Sequence, residues 1–169
     1  MAVISGLPEQ LIEQAEFLLR NSPANLTNEA SVRRGVSAAY YALFHLLVRD
    51  AVTSWKHPEH HNRLARAFDH KRMKDASTAM LKETGNAQNP LAADAAQTVR
   101  FKLSIVAQAF VDLQQARHKA DYDISAPFNP LEAAVSVAQA HLALLTWAEV
   151  RDAPIAQDYL YSLLFKDKL

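Results

Sequence analysis

The sequence predicts an all-α fold, an up-and-down helical bundle of four to five main helices followed by a short C-terminal helix. Three observations carry this expectation. The 169 residues include only three glycines, with neither Asn-Gly nor Asp-Gly, so the strongest hairpin signals are missing. Strict alternation of apolar and polar residues is nowhere sustained. Over most of the chain the apolar residues instead recur at steps of three and four, which places them on one side of a helix. With half of its residues apolar, an 18.8 kDa chain can bury one substantial core, so a single domain spanning 1–169 is expected.

The first helix is expected near Pro8, a favoured first-turn residue, and carries Leu11, Ile12, Ala15, Leu18 and Leu19 on one side until Asn21-Ser22-Pro23 stops it. A long central helix follows from about Asn28 to Thr53, its core stripe being Val36, Ala39, Tyr40, Leu43, Phe44, Leu47 and Ala51. A third opens at Pro58 with Leu64 and Phe68 as anchors, its persistence between Met73 and Thr84 left open, before Gly85 to Pro90 breaks the pattern. The fourth, about Leu91 to Lys119, buries Val99, Leu103, Val106, Phe110 and Leu113. The fifth opens with Asn129 as cap, Pro130 at the first position and Glu132 completing a capping box; Ala134, Val135, Ala138, Leu142 and Leu145 are expected to face inward. After Pro154, the run Tyr159, Leu160, Leu163, Leu164 and Phe165 is too apolar for a free tail and is expected to pack on the bundle or a second subunit.

Eighteen basic and eighteen acidic residues cancel and the pI is about 7.1, so no whole-molecule field draws the chain to nucleic acid or anionic lipid. Any such contact must use a local patch. The absence of cysteine excludes disulfides, thiolate nucleophiles and cysteine-type zinc sites. The amino terminus lacks a basic segment followed by a long apolar one, and no uncharged apolar run approaches the ~20 residues of a membrane span. A cytoplasmic protein without membrane contact is expected.

The stripe of the fourth helix ends in a charge. One step beyond Leu113 it reaches Arg117, followed by Ala120-Asp121-Tyr122-Asp123. A guanidinium keeps its charge, so on a buried seam it needs a carboxylate, at i+4 (Asp121) or on another helix, or else an anionic ligand. The central helix carries a polar stripe as well: Arg34, Ser37, Tyr41 and His45 are spaced three, four and four. With Arg33 beside them they suit a groove in which arginines take a phosphate and Tyr41 stacks on a base, or a helix edge whose polar tips reach solvent.

Two other groups are weaker candidates. His57-Pro58-Glu59-His60-His61 matches no zinc-protease spacing, and Pro58 puts His57 at the helix cap, so a solvated helix start is expected with no metal and no cofactor. Arg63, Arg66, Lys71, Arg72 and Lys74 form a basic cluster diluted by Asp69 and Asp75, which fits a solvated helix face better than a phosphate track.

Two segments together resemble the HEPN domain family, small α-helical bundles of prokaryotic toxin–antitoxin and defence systems that also occur in eukaryotes. Arg33-Arg34-Gly35-Val36-Ser37-Ala38-Ala39-Tyr40-Tyr41-Ala42-Leu43-Phe44-His45 is similar to the family's Arg-Arg-x-x-Ser-x-Ala-Tyr-Tyr-Ala-x-Phe-His helix. Arg117-His118-Lys119-Ala120-Asp121-Tyr122 is similar to the Arg-x-x-Ala-Asp-Tyr element of one bacterial branch. The resemblance covers about 28–145. It implies a homodimeric helical bundle with an RNA or nucleotide ligand and an antitoxin or a small nucleotidyltransferase as partner. Ligand-binding residues under it are Arg33, Arg34, Tyr41, His45, Arg117, Asp121 and Tyr122.

Nuclease members of the family carry an arginine, four to six intervening residues and then a histidine near the start of the last core helix; counted from Arg117 the histidine would stand at 122, 123 or 124, which here are Tyr122, Asp123 and Ile124. Neither tyrosine nor aspartate has an ordinary pKa suited to proton transfer near pH 7. Arg63 and His70 meet the literal spacing on the third helix, where about one such pair arises by chance. The expectation is therefore a non-catalytic RNA- or nucleotide-binding module. Its rivals are a metal-independent RNase toxin in which His45 or His118 supplies the imidazole, and a protein-interaction subunit whose polar residues only hold helices in register.

Overall fold

The computed structural model describes residues 6–20, 28–85, 95–125 and 127–165, and no strand occurs among them. Their helices are α1 (Leu7–Arg20), α2 (Glu29–Thr53), α3 (His61–Ala65), α4 (His70–Thr84), α5 (Ala95–Tyr122), α6 (Pro130–Val150) and α7 (Pro154–Leu164). The all-α bundle expected from the sequence is the observed architecture.

Asn28 opens α2 by accepting a hydrogen bond from the Ser31 N–H, which satisfies one of the donors left over at a helix start. Val36, Ala39, Tyr40, Leu43 and Leu47 are then sealed completely, because α1, α5 and α6 all pack on α2. Gly35 permits the approach of α1: a Cβ there would lie 3.3 Å from Leu19 Cδ2 and 3.4 Å from the Ala15 carbonyl. On α5, Leu103, Val106, Phe110 and Leu113 are fully buried as their spacing predicts. The core reaches beyond 28–145, drawing in Ile12 and Ala15 of α1 and Tyr159, Leu160 and Leu163 of α7. Helix α7 packs on α4 and α2, where the Tyr159 hydroxyl lies 2.7 Å from that of Ser77.

The third predicted helix is three pieces. Pro58 opens a single 3-10 turn, Pro58–His60, α3 lasts five residues, and the chain is extended at Asp69 (φ −122°, ψ 132°). Asp69 caps a new helix by accepting from the Arg72 N–H at 3.0 Å, and α4 runs unbroken to Thr84 with Met73, Ser77 and Met80 buried. A strong cap inside the basic cluster thus divides it between two elements. The expected start of the fourth helix, Leu91, lies outside the described residues; α5 continues past Lys119, so Asp121 and Tyr122 belong to its last turn.

Helix α6 is capped by Asn129 as expected, but Glu132 turns to Lys119 Nζ at 3.0 Å instead of closing a capping box. Its inward face is also rotated from the expected one. Ala133, Val137, Ala140, Ala143, Trp147 and Val150 are buried, whereas Ala134, Val135, Ala138, Leu142 and Leu145 are exposed. Small residues let α6 lie close against its neighbours, and Trp147 fixes the rotation by donating its indole N–H to Asp50 Oδ2 at 2.8 Å. By length and mean hydropathy (1.2), α6 alone among the described helices is long and apolar enough to cross a membrane; one whole face of it is part of this core.

Candidate functional site

The last turns of α5 meet the first half of α2. Arg117, one turn beyond the buried Leu113, places its guanidinium carbon 5.7, 5.6 and 5.8 Å from the ring centres of Tyr40, Tyr41 and Tyr122. The cation therefore lies among the electron-rich rings of three tyrosines, with 14% of its side chain exposed. It donates to the Tyr41 hydroxyl at 3.2 Å. Its Nε lies 3.0 Å from Asp121 Oδ2 but lacks the alignment of a hydrogen bond, so the attraction is that of an ion pair without a donated N–H. The Ser37 hydroxyl donates to the other oxygen of the same carboxylate. Arg117, Asp121, Ser37 and Tyr41 thus tie α5 to α2 through one polar network.

The two adjacent arginines have different surroundings. Arg33 donates through Nε to Glu29 Oε1 at 2.6 Å and through one terminal nitrogen to the carbonyls of Lys119, Ala120 and Asp123 at 3.3, 2.9 and 2.7 Å. The Lys119 carbonyl also accepts from the Asp123 N–H at 3.0 Å, and with the Ala120 and Asp123 carbonyls it places Arg33 as a cap at the end of α5, a role the sequence did not reveal. Glu29 also accepts from the Phe128 N–H, the main cause holding its carboxyl below the usual glutamate range. Arg34, one position on and about 100° around the helix, is exposed, and no hydrogen bond or ion pair engages it among the described residues.

Arg34, Ser37 and Tyr41 line two adjoining hollows. One, of about 500 Å³, lies between α2 and the end of α5 and also involves Arg33, Asp121 and Tyr122. The other, of about 290 Å³, lies between α1 and α2 and is bounded by Leu11, Gln14 and Leu18. Arg117 stands behind Tyr41 and Asp121. The Tyr122 ring, 64% exposed, forms a free wall. A further hollow of about 210 Å³ among α2, α3 and α7 is lined by Trp55, Phe68, Tyr161 and Phe165 and contains no charged side chain, which makes it the weaker candidate for an anion.

His45 lies one turn beyond Tyr41, its ring stacked at 6.0 Å. His70, set aside with Arg63 as a chance spacing, is delivered by α4 to the same cluster: its Nδ1 is 2.6 Å from the Tyr40 hydroxyl and its ring 4.6 Å from Phe44. Burial pushes the Tyr40 phenol up, so Tyr40 keeps its proton within this hydrogen bond to the His70 ring. Burial also lowers the pKa of His45, helped by the charge of His70. For His70 burial acts first and the Arg117 charge second, against an opposing pull from Asp69. Both imidazoles are therefore neutral at pH 7.

His118 is exposed with its ring 5.1 Å from Tyr122. Elsewhere, His57 pairs with Glu59 at 3.1 Å and His61 turns to the Trp55 carbonyl at 2.9 Å, so the two imidazoles have separate partners. In the basic cluster, Arg72 donates to the Leu164 carbonyl at 2.7 Å and thereby caps α7, while Arg63, Arg66 and Lys71 are exposed. Comparison with protein-family models, with curated proteins and with solved structures found no match.

Proposed function

We propose that this chain is a HEPN-like module that binds RNA or a nucleotide without hydrolysing it, as one member of a defence or toxin–antitoxin pair in the cytoplasm. The observation that carries this reading is Arg34, an exposed cation with no partner among the described residues, placed where two hollows join and flanked by Tyr41 and Tyr122. A phosphate at Arg34 gains a charge-assisted contact at no cost to an existing ion pair. A base against the exposed Tyr122 ring gains stacking worth about 1–3 kcal/mol. Asp121 stands in the same hollow, but Arg117 and Ser37 offset its charge.

Titration of a fluorescent oligonucleotide and of ATP at low salt tests the reading. Arg34→Ala is expected to weaken RNA binding about five- to tenfold with unchanged melting temperature, and to reduce the salt dependence by about one phosphate contact. If the wild-type protein binds neither ligand, the reading is wrong.

One arrangement favours a second reading as a metal-independent RNase: Arg117 shares an aromatic cluster with His45 and His70, both neutral at pH 7 and hence able to accept a proton. Incubating labelled tRNA with the protein in EDTA separates the two. Cleavage abolished by His70→Gln or His45→Gln favours the enzyme, and intact tRNA after long exposure eliminates it.

A further inference from the structure

Arg34 stands on a ridge with a hollow on either side. Arg34, Ser37 and Tyr41 follow one another at steps of three and four, so they form one row along α2. That row lines both the hollow of about 500 Å³ toward α5 and the hollow of about 290 Å³ toward α1. The two sides differ in chemistry. The α5 side holds the Tyr122 ring and the Asp121 carboxylate. The α1 side has apolar walls, Leu11, Leu18 and Ala38, and Arg34 is the one charged side chain lining it among the described residues. Its other polar group from α1 is Gln14, which shares a helix face with Leu11 and Leu18. Gln14 is exposed, and no hydrogen bond engages its side-chain amide among the described residues.

We propose that the α1 side is a second base site, so that the ligand is a phosphodiester step: the linking phosphate on Arg34, one base against Tyr122, and the next against Leu11 and Leu18 with its edge at Gln14. This rests on the reading of Arg34 as a phosphate contact and names the ligand class of that site. A phosphodiester carries a nucleoside on each side, as Arg34 carries a hollow on each side, whereas a terminal phosphate fills only one. The phosphate has no better place than the ridge. Deeper in the larger hollow it would approach the Asp121 carboxylate, and in the smaller one it would exchange water for leucine walls.

A base suits the smaller hollow because its faces are apolar and its edge is polar. Each standard base presents a donor beside an acceptor on its Watson–Crick edge, and the carbonyl and NH₂ of one side-chain amide match such a pair together. Gln14 therefore selects for the presence of a base and not for a sequence. An amide left facing only water and leucines gains nothing from AMP seated on the Tyr122 side, so Gln14 separates a dinucleotide from a mononucleotide.

Calorimetric titration of the full chain at low salt with adenylyl-3′,5′-adenosine and with AMP tests this. Charge alone favours AMP, whose terminal phosphate carries about −1.5 to −2 at pH 7 against about −1 for the diester. The dinucleotide is nevertheless expected to bind about tenfold more tightly, from its second base. Gln14→Leu puts a good helix former of similar size at an exposed position, so the melting temperature should not fall, while dinucleotide binding weakens about fivefold. AMP, which can use the Tyr122 side alone, should bind this variant as it binds the wild type. If AMP binds the wild type as tightly as the dinucleotide does, or if Gln14→Leu weakens both ligands alike or neither, the second base site is overturned and the phosphate contact of Arg34 stands. If the wild type binds neither ligand, the second base site and the reading beneath it are both wrong.

Discussion

Removing the Arg117 guanidinium deprives Tyr41 of a donor, leaves Asp121 with Ser37 alone, and empties a space bounded by three aromatic rings. Arg117→Met fills part of that volume but restores none of the polar contacts, so a loss of roughly 1–3 kcal/mol in denaturant unfolding is expected. Asp121→Asn in the same chain should recover part of it, because the uncompensated carboxylate is then gone. Under the proposed function, RNA binding should weaken along with stability, since Arg117 contacts the Tyr41 and Asp121 walls of the hollow. That distinguishes it from Arg34→Ala, where binding falls and stability does not. An Arg117→Met protein as stable as wild type would mean that the polar network adds nothing to holding α5 on α2. The sequence showed that something polar waits at Arg117, because one charge interrupts an otherwise apolar period. It did not separate Arg33 from Arg34, since the carbonyls that engage Arg33 lie 86 to 90 residues away. The sequence paired His70 with Arg63 only by spacing; its actual partners Tyr40 and Phe44 are on another helix, and spacing along the chain carries no trace of them.

Helix ends decide how these residues are presented. The last turn of α5 carries Asp121 and Tyr122, and Arg33 from α2 donates to the Lys119, Ala120 and Asp123 carbonyls around its end, where no glycine caps the helix. Arg33→Ala is expected to lower stability by about 1–3 kcal/mol from those carbonyl bonds alone and to speed amide hydrogen exchange over 120–123. Unchanged exchange in that segment would show that the turn holds without the arginine. Starts of helices were readable where a capping residue precedes an apolar period, as at Asn28 and Asn129. The break at Asp69 was not read, although the step of five from Phe68 to Met73 departs from helical spacing and Asp69 is a residue type that caps helices. The rotation of α6 was misjudged because both of its faces are apolar. Only the tertiary partner of Trp147 and the demand for small residues near α2 tell them apart, and the wider side chains are left outside.

At the scale of the whole molecule the same burial that shapes the site makes stability depend on pH. His45 and His70 have folded pKa values below their ordinary 6.5, with Arg117 adding to the effect at His70 and Asp69 opposing it. Above pH 6.5 neither the folded nor the unfolded chain protonates them, and they cost nothing. As pH falls below that value the unfolded chain takes up protons that the folded chain refuses, so stability declines until the lowered pKa values are reached. The carboxylates act at lower pH and in the same sense. Glu29 is lowered by the Phe128 N–H and Asp123 by Ser125, so each adds stability above its ordinary pKa of 4.5 or 3.8, and that contribution disappears as pH drops through the folded value. A melting temperature that is level between pH 7 and 8 is therefore expected to fall in two stages, first below pH 6.5 and again below about 4.5. In a domain of this size each kcal/mol lost lowers it by about 2–4 °C. His45→Gln combined with His70→Gln should remove the first stage and leave the second. If that double variant loses stability between pH 6.5 and 5 as steeply as the wild type, protonation of the imidazoles beside Arg117 is not what opens the bundle in acid.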